Sequence, residues 1–358
     1  MTGRLVALDR PGGPGFVDAL QGIWDAGDAA FPVDQRLPDA ARRRLLERMR
    51  VGDEVDEGDA LVIATSGSSG APKGVVLTHD AVAASARATS ARLGVGADDH
   101  WLACLPLAHV GGLSVVTRAL VTGTALTVLP GFDAAAVDAS EATLVSLVPT
   151  ALGRIHPERF RTIVLGGSRP PADRPANSVT TYGMTETGSG VVYDGVPLDA
   201  VEVRIDAPAD GNDGEILLRG PMLMRGYRDG STSIDAEGWL HTGDVGTWRS
   251  DGRLHVIGRA GDLIITGGEN VWPEAVERIL ARHPGIAEVL VRGVDDDEWG
   301  QVVEALVVPV DPATPPQLDQ VRAFVKETDP AHMAPRRLRL VEALPRTSLG
   351  KPRRGTPA

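Results

Sequence analysis

Between residues 60 and 170 the chain repeats one pattern: a short apolar run, a polar or Ala-rich stretch, then another apolar run. The runs fall at 60–64, 75–78, 101–105, 125–129, 143–148 and 162–165, and the Ala-rich stretches include 80–93 and 133–140. Short apolar runs that alternate with helical segments layer into an α/β fold. After residue 190 the texture changes. Val201–Ile205, Gly214–Arg219, Trp239–Thr242 and Leu254–Ile257 are expected strands set between Gly, Asp and Asn turns, as in an antiparallel β subdomain. Beyond 262 the pattern predicts strands at Leu263–Thr266, Glu288–Val294, Glu304–Pro309 and Arg337–Val341, with helices at Pro273–Arg282 and Leu318–Glu327. That stretch has the size of a small α+β domain. Residues 1–58 are weakly patterned, apart from a basic helix expected at Asp39–Arg50.

Bulk properties limit the partners. A chain of 358 residues has room for two or more domains. Its net charge of −12 argues against nucleic acid as the main partner, so an anionic substrate needs a local basic pocket. The single cysteine, Cys104, excludes an intrachain disulfide and fits a reducing compartment. It sits in the apolar run Trp101–Leu105 and reads as a buried, inert thiol. No apolar run reaches membrane-spanning length, and no basic-then-apolar leader is visible at the N-terminus, so the expected location is the cytoplasm. The sequence leaves the oligomeric state open, and a homodimer is compatible with it.

Residues 64–74, Ala-Thr-Ser-Gly-Ser-Ser-Gly-Ala-Pro-Lys-Gly, carry the clearest chemistry. Gly67, Gly70 and Gly74 allow tight turns and close approach to a ligand. Thr65, Ser66, Ser68 and Ser69 supply hydroxyls, and Lys73 a positive charge. Between two apolar strands, such a loop suits a triphosphate held by N–H groups, hydroxyls and one cation. It is not a Walker loop, because Lys73 is followed by Gly74 rather than Ser or Thr. A plain Gly/Ser surface loop is the alternative, and the Pro-Lys-Gly ending between strands weighs against it.

Further segments fit that loop. Pro106-Leu-Ala-His-Val-Gly-Gly112 sets His109 beside two glycines after a strand. Thr181-Tyr-Gly-Met-Thr-Glu-Thr-Gly188 groups an aromatic ring, hydroxyls and a carboxylate. Thr242-Gly-Asp244 ends a strand with an acid, and Gly258-Arg-Ala-Gly-Asp262 leads into Ile265-Thr-Gly-Gly-Glu-Asn270. Pro345-Arg-Thr-Ser-Leu-Gly-Lys351 lies near the C-terminal end.

Together, and in this order, these segments resemble the acyl- and aryl-CoA synthetases of the adenylate-forming superfamily, from about residue 60 onward. The resemblance implies a large N-terminal adenylation domain of α/β layers with a β subdomain, over 1–260, and a small mobile α+β C-terminal domain, over 261–358. Pro106–Ser114, Arg118, Ser146-Leu-Val-Pro-Thr150 and Thr162-Ile-Val-Leu-Gly-Gly167 look most like the o-succinylbenzoate–CoA ligase family of menaquinone biosynthesis. One departure is the start: only 63 residues precede Ala64, fewer than in most of the family, so the N-terminal subdomain is expected to be shortened.

The family chemistry has two half-reactions. A carboxylate attacks the α-phosphate of ATP to give an acyl-adenylate and pyrophosphate; the CoA thiol then attacks the acyl carbon and expels AMP. The resemblance implies that Glu186 contacts Mg²⁺, that Tyr182 covers the adenine, and that Gly166, Gly167 and Ser168 line the adenine site with Thr181, Gly183, Met184 and Thr185. It places Asp244 on the ribose hydroxyls, Arg259 on ribose or phosphate, and Lys351 at the α-phosphate and acyl oxygen. His109 is expected to border the acyl pocket, with Gly183, Ser146 and Thr150 nearby. Arg118 is the choice for the succinyl carboxylate, since a dianionic ligand in an acidic protein needs a cation; a helix-surface arginine is the alternative. Gly261 would be the hinge, and Gly267 and Gly268 would leave a channel for CoA. Leu165-Gly-Gly-Ser168 mimics a phosphopantetheine attachment motif, but Ser168 ends an apolar strand and is followed by Arg-Pro-Pro, unlike the helix start in carrier proteins. A ligase that loads a carrier protein and an ATP-binding pseudoenzyme are the competing classes; intact Lys351 and Glu186 argue against the latter.

Overall fold

In the computed structural model, which describes residues 3–65, 72–168, 170–171, 173–209, 211–346 and 354, the apolar runs are strands. The chain divides into two compact units, one of residues 1–204 and 217–241, the other of 205–216 and 242–358.

The first unit begins with β1 (Leu5–Leu8), α1 (Pro14–Asp25), β2 (Ala29–Pro32), α2 (Asp39–Arg48), β3 (Asp59–Thr65) and β4 (Lys73–Thr78). It continues with α3 (His79–Arg92), β5 (His100–Ala103), α4 (Val110–Thr122), β6 (Ala125–Val128), α5 (Ala134–Ala139), β7 (Leu144–Leu147), α6 (Pro149–Leu152) and β8 (Thr162–Leu165). Then come β9 (Ser178–Met184), β10 (Ser189–Tyr193) and β11 (Val196–Pro197). β12 (Glu202–Asp206) and β13 (Gly214–Arg219) precede β14 (Gly226–Tyr227), β15 (Leu240–Trp248) and β16 (Leu254–Arg259); β12, β13, β15 and β16 are strands of one sheet, of which residues 205–216 and 242 onward belong to the second unit.

Two sheets shape the first unit. One runs in the order β1-β2-β3-β4-β14, the other β11-β10-β9-β8-β7-β5-β6. In the second, β6, β5, β7, β8 and β9 are mutually parallel, so their carboxyl ends lie along one edge. Parallel strands buried on both faces need continuous apolar runs, and Leu102, Val145, Leu147, Ile163 and Leu165 are each almost fully buried. Cys104 extends this core with no exposed surface, and burial pushes its thiol up to about 12, which makes it the inert thiol expected.

The weakly patterned start is more ordered than its sequence promised. Leu5, Ala29 and Phe31 of β1 and β2 bury against Val62 and Val76, extending the first sheet. The basic helix expected to reach Arg50 stops at Arg48, because Arg50 itself turns to a left-handed φ of 53°. Thr78 caps α3, its hydroxyl accepting from the Ala81 amide at 3.1 Å.

The second unit carries β17 (Ile264–Thr266), β18 (Glu269–Val271), α7 (Pro273–Leu280), β19 (Ile286–Asp296), β20 (Gly300–Pro309), α8 (Leu318–Lys326) and β21 (Arg337–Leu340). The long β19–β20 hairpin is the spine of its sheet, and α7 and α8 lay Val276, Ile279, Val321 and Val325 into the core against Val291, Val303 and Val307. These elements match the expected α+β order within a few residues. Among the described residues, no helix is long and apolar enough to cross a membrane.

Candidate functional site

In the first unit the expected residues gather where the parallel strands end. β5 leads to His109, β7 to Thr150, β8 to Gly166–Ser168, and β9 into Tyr182, Gly183, Met184 and the single turn Thr185–Thr187 that bears Glu186. In open α/β sheets the crevice beyond the carboxyl ends is where ligands bind. Ser146 lies within β7 and is buried.

Local sterics fix several glycines here. A side chain on Gly183 would meet the Ser189 carbonyl oxygen at 2.2 Å, and one on Gly166 would meet Thr181 Oγ1 at 2.9 Å. Gly167 has φ +82°, which lets the chain turn away from β8. Close packing therefore accounts for Gly183 and Gly166 independently of any ligand.

β3 and β4 pair antiparallel with Thr65 opposite Lys73, so these two residues flank the base of the glycine-rich loop. Ser66, Gly67, Ser68, Ser69 and Gly70 lie outside the described residues. Lys73 Nζ stands 4.4 Å from the ring centre of Tyr227. The Tyr227 hydroxyl donates to Glu186 Oε1 at 3.0 Å. β14 places Tyr227 by pairing with β4, and the Met224 amide donates to the Glu186 carbonyl at 2.8 Å. A cation, a phenol and a carboxylate are thus linked in a row. Tyr227 stands outside every motif read from the sequence; its role follows only from the β4–β14 pairing.

His109 sits at the start of α4 beside two residues that sequence reading passed over. Its Nε2 is 3.1 Å from Arg36 Nη2 and 3.5 Å from Asp34 Oδ2. Arg36 donates Nε and Nη2 to the two Asp34 oxygens at 2.9 and 2.8 Å. Burial works against a charged Asp34, but the bonds from Arg36 outweigh it and hold the carboxyl below its ordinary range.

Arg118 is buried, with 3% of its surface exposed, which rules out the helix-surface alternative. Its guanidinium stacks 4.6 Å from the Trp101 ring centre, while Nε and Nη1 have no hydrogen-bond partner among the described residues. Burial pushes the Arg118 pKa down. The side chain borders a cavity shared with Ser85, Val110, Ser114, Thr117 and Gly188, roomy enough for about one water molecule.

In the second unit, β15 and β16 set Asp244 opposite Arg259. Arg259 Nε lies 2.8 Å from Asp244 Oδ1; the acid is buried and the arginine half exposed. Thr242 Oγ1 supports the turn, accepting from the Asp244 amide at 3.0 Å and donating to the Ile216 carbonyl at 2.7 Å. Gly267 and Gly268 form the two-residue turn between β17 and β18, with φ of +59° and +84°. Such a hairpin turn calls for glycine by itself. Lys351 lies outside the described residues.

A family model described as AMP-binding enzyme matches residues 48–228, and one described as AMP-binding enzyme C-terminal domain matches residues 275–351. The chain belongs to the AMP-binding enzyme family. Within it, the chain is similar to a probable 2-succinylbenzoate–CoA ligase of Mycobacterium tuberculosis, 39% identical over 376 residues that span 96% of this chain and 95% of the relative. Its fold matches the o-succinylbenzoate CoA synthetase of Bacillus subtilis in complex with its acyl-adenylate intermediate, at a TM-score of 0.87 and 27% identity, covering 98% of this chain and 87% of that one. The same enzyme in complex with ATP and magnesium ion matches at 0.86 and 28%, covering 99% and 89%.

Proposed function

We propose that this chain is an AMP-forming acid–CoA ligase that converts 2-succinylbenzoate, ATP and CoA to 2-succinylbenzoyl-CoA, AMP and pyrophosphate, a step of menaquinone biosynthesis. The observation that carries the substrate assignment is Arg118. A buried guanidinium with two unsatisfied N–H directions is costly unless an anion completes it. The carboxylate of the diacid that is not activated is such an anion, and Ser114 and Thr117 offer hydroxyls beside it. The cavity is too small for an aryl acid as it stands, so binding requires its walls to part.

The chemistry divides among the chain's residues. Lys73, with Thr65 and the loop Ser66–Gly70, holds the phosphates by N–H groups, hydroxyls and charge. Gly166–Ser168 and Thr181–Thr185 line the adenine, Tyr182 stacking on it. Asp244 accepts from both ribose hydroxyls, its two oxygens suiting a diol, and Arg259 turns toward ribose or phosphate. In the first step the substrate carboxylate oxygen bonds to the α-phosphorus as pyrophosphate leaves, with Lys351 stabilising the developing charge. In the second, the CoA sulfur bonds to the acyl carbon and AMP leaves, the pantetheine arm passing Gly267 and Gly268. Among the described residues no group of three His, Cys, Asp or Glu side chains could hold a metal alone. Magnesium keeps several waters and binds through one or two carboxylates plus phosphate oxygens; Glu186 would be the carboxylate that holds it, and the ion would neutralise phosphate charge. His109, held by Arg36 and Asp34, borders the acyl pocket with Ser146. We place the enzyme in the cytoplasm, with residue 261 as the boundary of motion between a domain of 1–260 and one of 261–358. Both this boundary and a homodimer are readings to be tested.

With 2-succinylbenzoate, ATP, magnesium and CoA the products are expected to be AMP and pyrophosphate; ADP and phosphate would overturn the adenylate mechanism. Arg118→Met is expected to raise KM for 2-succinylbenzoate. Losing a charge-assisted hydrogen bond costs about 1.5–3 kcal/mol, or roughly one to two decades in affinity. An analogue lacking the second carboxylate should be no worse a substrate for the variant than for the parent. An unchanged ratio between the two acids would place the cation elsewhere.

A further inference from the structure

Glu186 stands half-buried on the single turn Thr185–Thr187, where a long acidic side chain has many rotamers open to it. Its carboxylate is held by the Tyr227 hydroxyl, 3.0 Å from Oε1. An ionised carboxylate only accepts, so the phenol is the donor. The phenol oxygen can then accept from Ser233 Oγ, 3.3 Å away. The bond from Tyr227 engages one carboxylate oxygen and leaves the other to a further partner. Tyr227 is itself fixed from several sides. β14 pairs it with Val75 of β4. Its amide donates to the Ser231 carbonyl at 2.8 Å, and its carbonyl accepts from the Gly230 amide at 2.9 Å. The Lys73 ammonium over the ring face adds a cation–π attraction. One ring thus meets two opposite charges, the amine on its face and the acid at its hydroxyl.

We propose that Tyr227 is a positioning residue for magnesium–ATP: its hydroxyl sets the Glu186 carboxylate in the orientation that takes the ion. The inference rests on the reading of Glu186 as the carboxylate that would hold magnesium. Magnesium demands near-ideal octahedral geometry and gives up its waters reluctantly. A carboxylate already aimed by a rigid phenol is recruited at less entropic cost than one that swings freely. Groups that orient a metal-binding side chain typically contribute about ten- to a hundredfold to metal affinity. The aim is set within one body, since Lys73, Glu186, Tyr227 and Ser233 all belong to the first compact unit. It is also independent of the acid being activated, because Tyr227 acts on the nucleotide's ion and not on the acyl pocket.

The test is ATP binding to the full chain by titration calorimetry, with no acid substrate present, at graded magnesium and in EDTA. Tyr227→Phe keeps the ring and removes only the hydroxyl. It is expected to raise the magnesium concentration that half-saturates ATP binding by about ten- to a hundredfold, with binding in EDTA near the parent value. Glu186→Gln alone reads the underlying assignment. If it leaves the magnesium response intact, that assignment fails, and the proposal with it. If Glu186→Gln is deficient, adding Tyr227→Phe should cost little more, because the phenol acts through the carboxylate. A Tyr227→Phe protein with the parent's magnesium requirement, a loss as large in EDTA as with magnesium, or losses that add in the double variant would each overturn the positioning role.

Discussion

Lys351→Ala is expected to lower the rate of adenylation by about a hundredfold to a thousandfold, the usual loss when one preorganised charge-stabilising group is removed. Its charge is needed where the carboxylate meets the α-phosphate and negative charge concentrates between two anions. The second half-reaction expels AMP from a mixed anhydride already formed and makes no such demand, so thioester formation from supplied acyl-adenylate should stay near the parent rate. Pyrophosphate exchange and thioester release, measured separately, decide it. Equal loss in both would sink the assignment and point to a folding defect.

Gly261→Pro is expected to slow one half-reaction by about a hundredfold and spare the other. Gly261 sits in the single turn Ala260–Asp262. Its φ is not among the positive ones, and a side chain there would meet nothing within 4 Å. The conformation seen therefore does not demand glycine, which weakens the alternative of a tight turn that merely needs one. A residue free of Cβ is useful here only if the backbone must also visit another conformation. Proline locks φ near −65° and removes that freedom. Gly261→Ala keeps the observed φ within reach and serves as the control for stability. A folded Gly261→Pro protein running both half-reactions at parent rates would show that motion does not pivot at 261.

Much of this was legible before any coordinates. All six apolar runs became strands, five of them because burial on both faces writes itself as unbroken hydrophobicity, while β6 is a sheet edge with no fully buried residue; Thr65 and Lys73 fell at the strand ends where the loop requires them. What escaped was of two kinds. β1 and β2 are only four residues each, and Ala29-Ala-Phe-Pro32 reads as strand only once β3 stands beside it. The polar networks escaped because they join distant segments. Asp34 and Arg36 are an unremarked pair until His109, 73 positions later than Arg36, is folded against them. Likewise, nothing local tells that Arg118 is buried or that Tyr227 meets Glu186.

One tight contact bears on how the enzyme would be tuned. A side chain at Gly258 of β16 would lie 2.7 Å from Glu274 Oε2 and 3.0 Å from Trp272 Cε3, at the start of α7. Only a bare backbone lets the strand lie this close to the helix. If 261 is a pivot, this is a surface that must part and re-form once in every turnover, with the bare backbone of Gly258 leaving and returning to the side chains of Trp272 and Glu274. Position 258 then works as a dial on the occupancy of two arrangements: bulk there disfavours the close one, and because both half-reactions share one catalytic cycle, shifting that balance in either direction slows the whole.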